Sequence, residues 1–398
     1  MPVLATLVFA LASRPCHAAG QEPARPPAAP AESDELAENE QLGVQLLNAL
    51  RAKDAKLFAG LFDPDALVER AVAGLGLDSS FQKGWRRGAP AGLRVTWAAS
   101  FSQLSDESKC SLAFVRVRGA PNARSLLFRQ RARQGERFDY LEFWTRKGAD
   151  GRLYVVDWVS HVDGQRRSDL LRLDLLTSTS ELKRPDPEHL AGLDRLYLDH
   201  AELVRRLTAS VKKSAWQETL DAFEQLPKDL RHEPSLQLAE LRLAAWLGDV
   251  QRIRTCYEGL TAGRPEYLTA DLWAFTHDLW GKDEARVLAS LRRLQAAIGG
   301  DSQLDYIESN LLLGRGELEA ANAPALRARA SEPDWLDPYW MIVSIALQRH
   351  DAEAVLQGLL EIDAHFTLEW TDLGAQEVYK EFVASPQGAK WRQHLASK

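Results

Sequence analysis

The chain has 398 residues, 45% hydrophobic and 26% charged, an ordinary globular composition on a length that exceeds a single core. A net charge of -7 and a pI near 5.8 speak against a nucleic-acid carrier, and the short basic runs "WRRG" and "GQRRSD" do not change that. With no Cys-x-x-Cys, His-Glu-x-x-His, Gly-rich phosphate loop or nucleophile elbow, the sequence offers no pattern for metal, nucleotide or nucleophilic chemistry, and no cofactor is expected.

Residues 1–19 read as a signal peptide. The apolar run from Val3 to Ala12 suits an h-region and falls short of the roughly 20 residues that span a bilayer. Cys16 and Ala18 suit cleavage after Ala18 or Ala19, although no Lys or Arg precedes the run. Arg14-Pro15 denies Cys16 the small residues of a lipoprotein signal, so a periplasmic or secreted chain is expected rather than a lipoprotein. Residues 20–35 form a Pro/Ala-rich linker, and no later stretch is apolar enough for a transmembrane segment. Cleavage leaves Cys110 and Cys256, in different predicted domains and with no pattern that pairs them.

Residues 36–165 predict an α+β domain. Helical spacing covers 36–62 with a break at Lys53-Asp54, and a further helix starts with Asp63 as N-cap and Pro64 in its first turn. Four strand-like runs follow, "SLAFVRVRG", "RSLLFRQRA", "FDYLEFWTR" and "RLYVVDWVS", joined by turn residues into an antiparallel meander. Helices followed by such a sheet resemble the nuclear transport factor 2-like family. The resemblance implies a cone-shaped sheet around a pocket able to take a small apolar ligand, and members include isomerases, dehydratases and pure binding proteins. A cystatin-like sheet and helix is the nearest alternative.

The last two strands hold the one candidate acid/base cluster. If Lys147 pairs with Arg152, partner numbers sum to 299: Leu141, Phe143, Val156 and Trp158 then face the core, and Glu142 opposes Asp157. Beside Tyr140 and His161, that pair could share a proton and act as a general base, as a proton-transfer isomerase or dehydratase requires. A tighter turn at Asp150-Gly151 shifts the sum to 301 and places Glu142 opposite Val159. The plain alternative is that Arg116, Arg118, Arg129 or Arg131 neutralises the two carboxylates. Residues 166–197 carry leucines at helical spacing, interrupted at Pro185 and Pro187, and form a helical connector.

From residue 198 to 398 the chain repeats itself. Turns at Ser214, Gly248, Lys282, Gly316 and His350 are 34 residues apart. Small or apolar residues recur five, nine and twelve residues after each turn, and again on the preceding helix at the places of Val204, Leu207 and Val211. Two helices per 34 residues make a hairpin that buries its apolar face only by stacking on neighbours. Over about 198–367 this resembles the tetratricopeptide repeat family, with Pro265 and Pro333 at inter-repeat turns. The resemblance implies an all-α superhelix that binds a protein or peptide partner, with the last residues capping the stack. Trp246, Trp273, Trp280, Trp335 and Trp370 are the aromatics that could anchor such a partner, against the plainer reading of inter-helix packing. The expected function is therefore an exported, non-enzymatic binding or scaffold protein, and the alternative is a small-molecule enzyme with its pocket in the α+β domain.

Overall fold

A computed structural model of the chain describes residues 30–77, 80, 83–89, 92, 110–132, 138–162, 164, 166–177, 190, 192–261, 268–281 and 283–397. Residues 1–19, expected as a signal peptide, residues 20–29 of the expected linker, Pro185, Pro187 and Pro265 lie outside them. The described chain forms two compact units that meet in sequence at Trp273/Ala274.

The first unit opens with α1 (Pro30–Arg51), which takes in residues 30–35 of the expected linker. The expected break follows it: Lys53 adopts a left-handed φ of 55°, and the Asp54 carboxylate caps α2 (Ala55–Gly60) by accepting from the Leu57 amide at 2.9 Å. Asp63 caps α3 (Pro64–Val72) in the same way. The strands are β1 (Cys110–Arg118), β2 (Ser125–Ala132), β3 (Phe138–Lys147) and β4 (Leu153–Ser160), an antiparallel meander in sequential order.

Leu42, Leu46, Ala49 and Leu50 of α1 pack with Phe58, Phe62 and Leu67 on Leu126, Phe128, Leu141, Phe143 and Val155 of the sheet. The phenylalanines meet edge-on, Phe128 to Phe143 at 5.4 Å and Phe62 to Phe143 at 6.1 Å. Each fully buried side chain of this size stabilises the fold by about 1.5–3 kcal/mol. A buried polar tie crosses the layer, Thr145 Oγ1 donating to Asn39 Oδ1 at 2.6 Å. The described residues thus show helices packed on a four-stranded antiparallel sheet; the cone that the nuclear transport factor 2-like resemblance implies is not among what they show.

The β3–β4 register departs from the sum of 299. Phe143 pairs with Trp158, Trp144 with Asp157 and Glu142 with Val159, the sum of 301; nearer the turn, Thr145 pairs with Val155 and Lys147 with Leu153. The shift of one marks a bulge at Val156. Its cause lies in the α2–α3 connection, where the Val155 amide donates to the Leu61 carbonyl at 2.9 Å and its carbonyl accepts from Asp63 at 2.8 Å. That bridge occupies the edge of β4 and turns Val155 to the core side, with Leu141 and Phe143.

Next come α4 (Arg167–Leu176), α5 (Gly192–Asp199), α6 (Ala201–Lys212), α7 (Trp216–Glu224), α8 (Lys228–Arg231), α9 (Pro234–Leu247) and α10 (Val250–Thr261). The unit ends within α11 (Leu268–Gly281). Helices α6 and α7 pack as a pair, as do α9 and α10.

The second unit contains the remainder of α11, then α12 (Glu284–Ile298), α13 (Ser302–Gly314), α14 (Leu318–Ser331), α15 (Asp337–Gln348) and α16 (Ala352–His365). Two single-turn 3-10 helices, Leu373–Ala375 and Glu377–Tyr379, lead into α17 (Lys380–Ala384) and α18 (Pro386–Ala396). Here α13 pairs with α14 and α15 with α16.

The 34-residue period is visible in the backbone. Ser214, Gly248, Gly316 and His350 take φ of 55°, 68°, 73° and 55°, so each hairpin turns through a left-handed residue. Lys282, at the remaining turn, lies outside the described residues. Five residues on, Thr219, Ile253, Val287, Ala321 and Val355 are all buried; twelve on, so are Leu226, Leu260, Leu294, Ala328 and Ile362. The polar exceptions are satisfied: Ser309 Oγ donates to the Ala321 carbonyl at 2.8 Å, and Thr219 Oγ1 to Ser210 Oγ at 3.0 Å.

Candidate functional site

With the register corrected, Glu142 and Asp157 are not cross-strand partners, and each has its own set of donors. Asp157 is fully buried and accepts from Ser168 Oγ at 2.6 Å, the Ser168 amide at 3.1 Å and Arg70 at 3.3 Å. Ser168 lies in the first turn of α4, so this carboxylate pins that helix, and Arg70 of α3, to β4.

Glu142 accepts from Ser125 Oγ at 2.5 Å and from Arg118 at 3.2 Å, one of the strand arginines that the sequence offers as neutralisers. It also meets His161 Nε2 at 3.0 Å, while His161 Nδ1 meets Thr269 Oγ1 of α11 at 2.9 Å. Burial alone would raise the Glu142 carboxyl, but the hydrogen bond and charge of His161, with Arg118 and Ser125, outweigh it and hold the group at about 2. Tyr140 is wholly buried, its ring edge-on to Phe138 at 5.7 Å.

A hydroxyl, an imidazole and a carboxylate in line is the order of a nucleophilic triad. Thr269, His161 and Glu142 are nevertheless all buried, Thr269 completely, and Glu142 already has two other donors. The geometry is that of a tie between the sheet and α11.

The same turn makes further ties. Asp139 accepts from Ser160 Oγ at 2.6 Å and the Val162 amide at 2.9 Å, and burial raises its carboxyl against those bonds. The turn so held offers the Val162 carbonyl to Arg242 at 2.9 Å and to Trp273 Nε1 at 3.1 Å. Gly164 sits so close to the helices that a Cβ there would meet Leu238 Cδ1 at 2.0 Å and Thr269 Cγ2 at 2.9 Å. The far end of the hairpin is a plug against α9 and α11.

The five tryptophans that the sequence offers as anchors stand in different surroundings. Trp273 belongs to the plug. Trp335 is buried, tilted on Tyr306 at 5.0 Å, with its Nε1 donating to Asp337 at 2.8 Å. The side chain of Trp280 lies outside the described residues. Trp246 is 53% exposed and stacked on Trp216 at 6.1 Å, with exposed Leu247 beside it in sequence.

Trp370 lines a cavity of about 410 Å³ at the carboxy-terminal end of the second unit, with Leu336, Trp340, Leu368, Glu369 and Tyr379 among its walls. After α16 the chain runs extended from Phe366, and Asp372 then caps the first 3-10 turn by accepting from the Gly374 amide at 2.9 Å. This strap forms one wall, the start of α15 another, and buried Leu373 and Tyr379 the floor. Trp370 is fixed by Nε1 donating to Asp363 at 2.8 Å and by edge-on packing against Trp391 at 4.7 Å and Trp340 at 5.9 Å. Sequence periodicity marks Trp340 only as a repeat position, and nothing in it marks Glu369 or Tyr379.

Among the described residues there is no cluster of three or more metal-ligating side chains, and no helix is long and apolar enough to cross a membrane. Compared with known proteins, the chain matches no family model and no curated protein. A solved structure described as "MamA RS-1 ArsTM double mutant" is similar at 17% identity and a TM-score of 0.35, covering 41% of this chain and 91% of that one. A similarity at that level carries no argument about what this chain does.

Proposed function

We propose that this chain is a non-enzymatic binding protein whose helical hairpins engage a polypeptide partner. The observation that supports the reading most is the 34-residue period: hairpins with left-handed turns and recurrent buried positions, whose neighbours pack, are how extended binding surfaces are built. Two places on them present aromatic surface, the Trp216–Trp246 stack in one unit and the Trp340–Trp370 cavity in the other. The acid/base candidates of the α+β region serve in this reading as structural ties. Export belongs to the proposal as well, supported by the Val3–Ala12 apolar run, and cell fractionation with and without residues 1–19 tests it.

A photo-reactive residue placed at Trp246, at Leu368 and at Ala149 of the hairpin turn tests the binding reading. A polypeptide cross-linked from the first two positions, and binding the chain again once purified, is the expected result. Capture from Ala149 alone would overturn it.

A further inference from the structure

The carboxy-terminal cavity carries a chemical preference for the group that a partner presents to it, a preference that rests on reading the chain as a polypeptide binder. Of its lining residues Glu369 is the only charged one, and no Lys, Arg or His is among them. The neighbouring acids are engaged: Glu377 with Lys380 at 2.5 Å, Glu381 with His350 at 2.6 Å, and Asp363 with His394 at 2.6 Å. Glu369 is exposed and makes no hydrogen bond or ion pair among the described residues. An uncommitted carboxylate therefore stands at the rim of a hollow walled by Trp340, Trp370 and Tyr379.

Aromatic faces carry negative potential and attract a cation within about 6 Å, arginine more often than lysine because its planar group also stacks. A carboxylate at the rim adds to that attraction, and an anion would find no donor of positive charge among the lining side chains. The two indoles stand at 65° to one another, forming a corner rather than a flat platform. The volume of about 410 Å³ falls in the range of pockets that enclose a small group. We propose that the cavity takes a basic side chain of the polypeptide partner, arginine before lysine.

The test uses the full chain carrying fluorotryptophan, with the Trp340 and Trp370 signals assigned by substitution to Phe. The probes are Gly-Ser-Gly-Arg-Gly-Ser-Gly and the same peptide with Lys, citrulline or Glu in place of Arg. The arginine peptide is expected to shift both signals and saturate them, the lysine peptide to follow more weakly, and the citrulline peptide to bind at least about fivefold worse. Glu369→Gln should weaken the arginine peptide by about two- to fivefold, as loss of one exposed charge does. Trp340→Leu should weaken it by about tenfold at a temperature well below the variant's own melting transition.

Equal binding of the arginine and citrulline peptides overturns the inference, and so does an unaltered affinity in Glu369→Gln. Tetramethylammonium saturating the same signals at lower concentration than the arginine peptide would make this a small-molecule site and overturn it too. A cross-linked polypeptide that binds Glu369→Gln and Trp340→Leu as tightly as the natural chain would sink this inference while leaving the binding reading intact. If no polypeptide binds the chain anywhere, both fall together.

Discussion

His161 bridges Glu142 at 3.0 Å and Thr269 at 2.9 Å, joining a residue of β3 to one of α11 across 127 positions of sequence. All three are buried, so the bridge is worth more than an exposed one and more costly to break. Glu142→Gln should destabilise the first unit by about 3 kcal/mol, the usual cost of leaving one partner of a buried ion pair alone. His161→Ala and Thr269→Val together should cost less than the sum of the two alone, with a coupling of about 0.5–1.5 kcal/mol. Urea unfolding of the single and double variants measures both quantities.

The same carboxylate gives the fold a pH dependence. Glu142 moves from 4.5 to about 2 on folding, so between these values the unfolded chain binds a proton that the folded chain does not. Its contribution is complete above pH 4.5 and fades as the pH falls toward 2. Unfolding free energy measured across that window should decline on acidification, and the decline should be shallower in Glu142→Gln.

Gly164 combines a left-handed φ of 71° with a helix atom 2.0 Å from where a Cβ would stand. Gly164→Ala must strain the backbone and push Leu238 aside together. A loss of about 2 kcal/mol or more is expected in thermal unfolding, against about 1 kcal/mol for conformational strain alone.

Gly248 and Gly316 separate those two effects, because a Cβ at either meets nothing within 4 Å. Their replacement by alanine should cost only the left-handed conformation, about 1 kcal/mol each. Ser214 has the same turn with a side chain in place, and Ser214→Gly should stabilise by up to about 1 kcal/mol. Melting temperatures of the three variants, moving in these opposite directions, would tie the 34-residue period to one turn geometry.

The parts of this fold that repeat or alternate were legible in the sequence. Ser214, Gly248, Gly316 and His350 all turn in the left-handed region, and the four strands start and end within a residue or two of the alternating runs. What local pattern could not carry is contact with distant chain. The register that opposes Glu142 to Asp157 fails in two steps: at the turn, where Lys147 pairs with Leu153 rather than Arg152, and at the bulge at Val156. Leu61 and Asp63 set that bulge from some ninety residues earlier, so only the second step has its reason outside the hairpin. Thr269 carries no mark in "YLTADLW" of its bond to His161. Of the arginines around the two carboxylates, Arg118 lies on a strand of the same sheet, two strands from Glu142, and was nameable, whereas Arg70 lies on α3 and was not. Trp370 stood out as an extra aromatic; Glu369 became visible only once the strap after α16 placed it beside that ring.

If the repeats, and not the β3–β4 hairpin, do this chain's work, partner affinity must depend on their aromatic surfaces. Titration calorimetry with the purified cross-linked polypeptide decides this, comparing the natural chain with Trp246→Ala, Trp340→Leu and Asp150→Ala. At least one tryptophan variant should lose tenfold or more in affinity, the scale of a contact worth about 1.4 kcal/mol, while Asp150→Ala binds as the natural chain does. Loss of binding in Asp150→Ala with both tryptophan variants unaffected would contradict it.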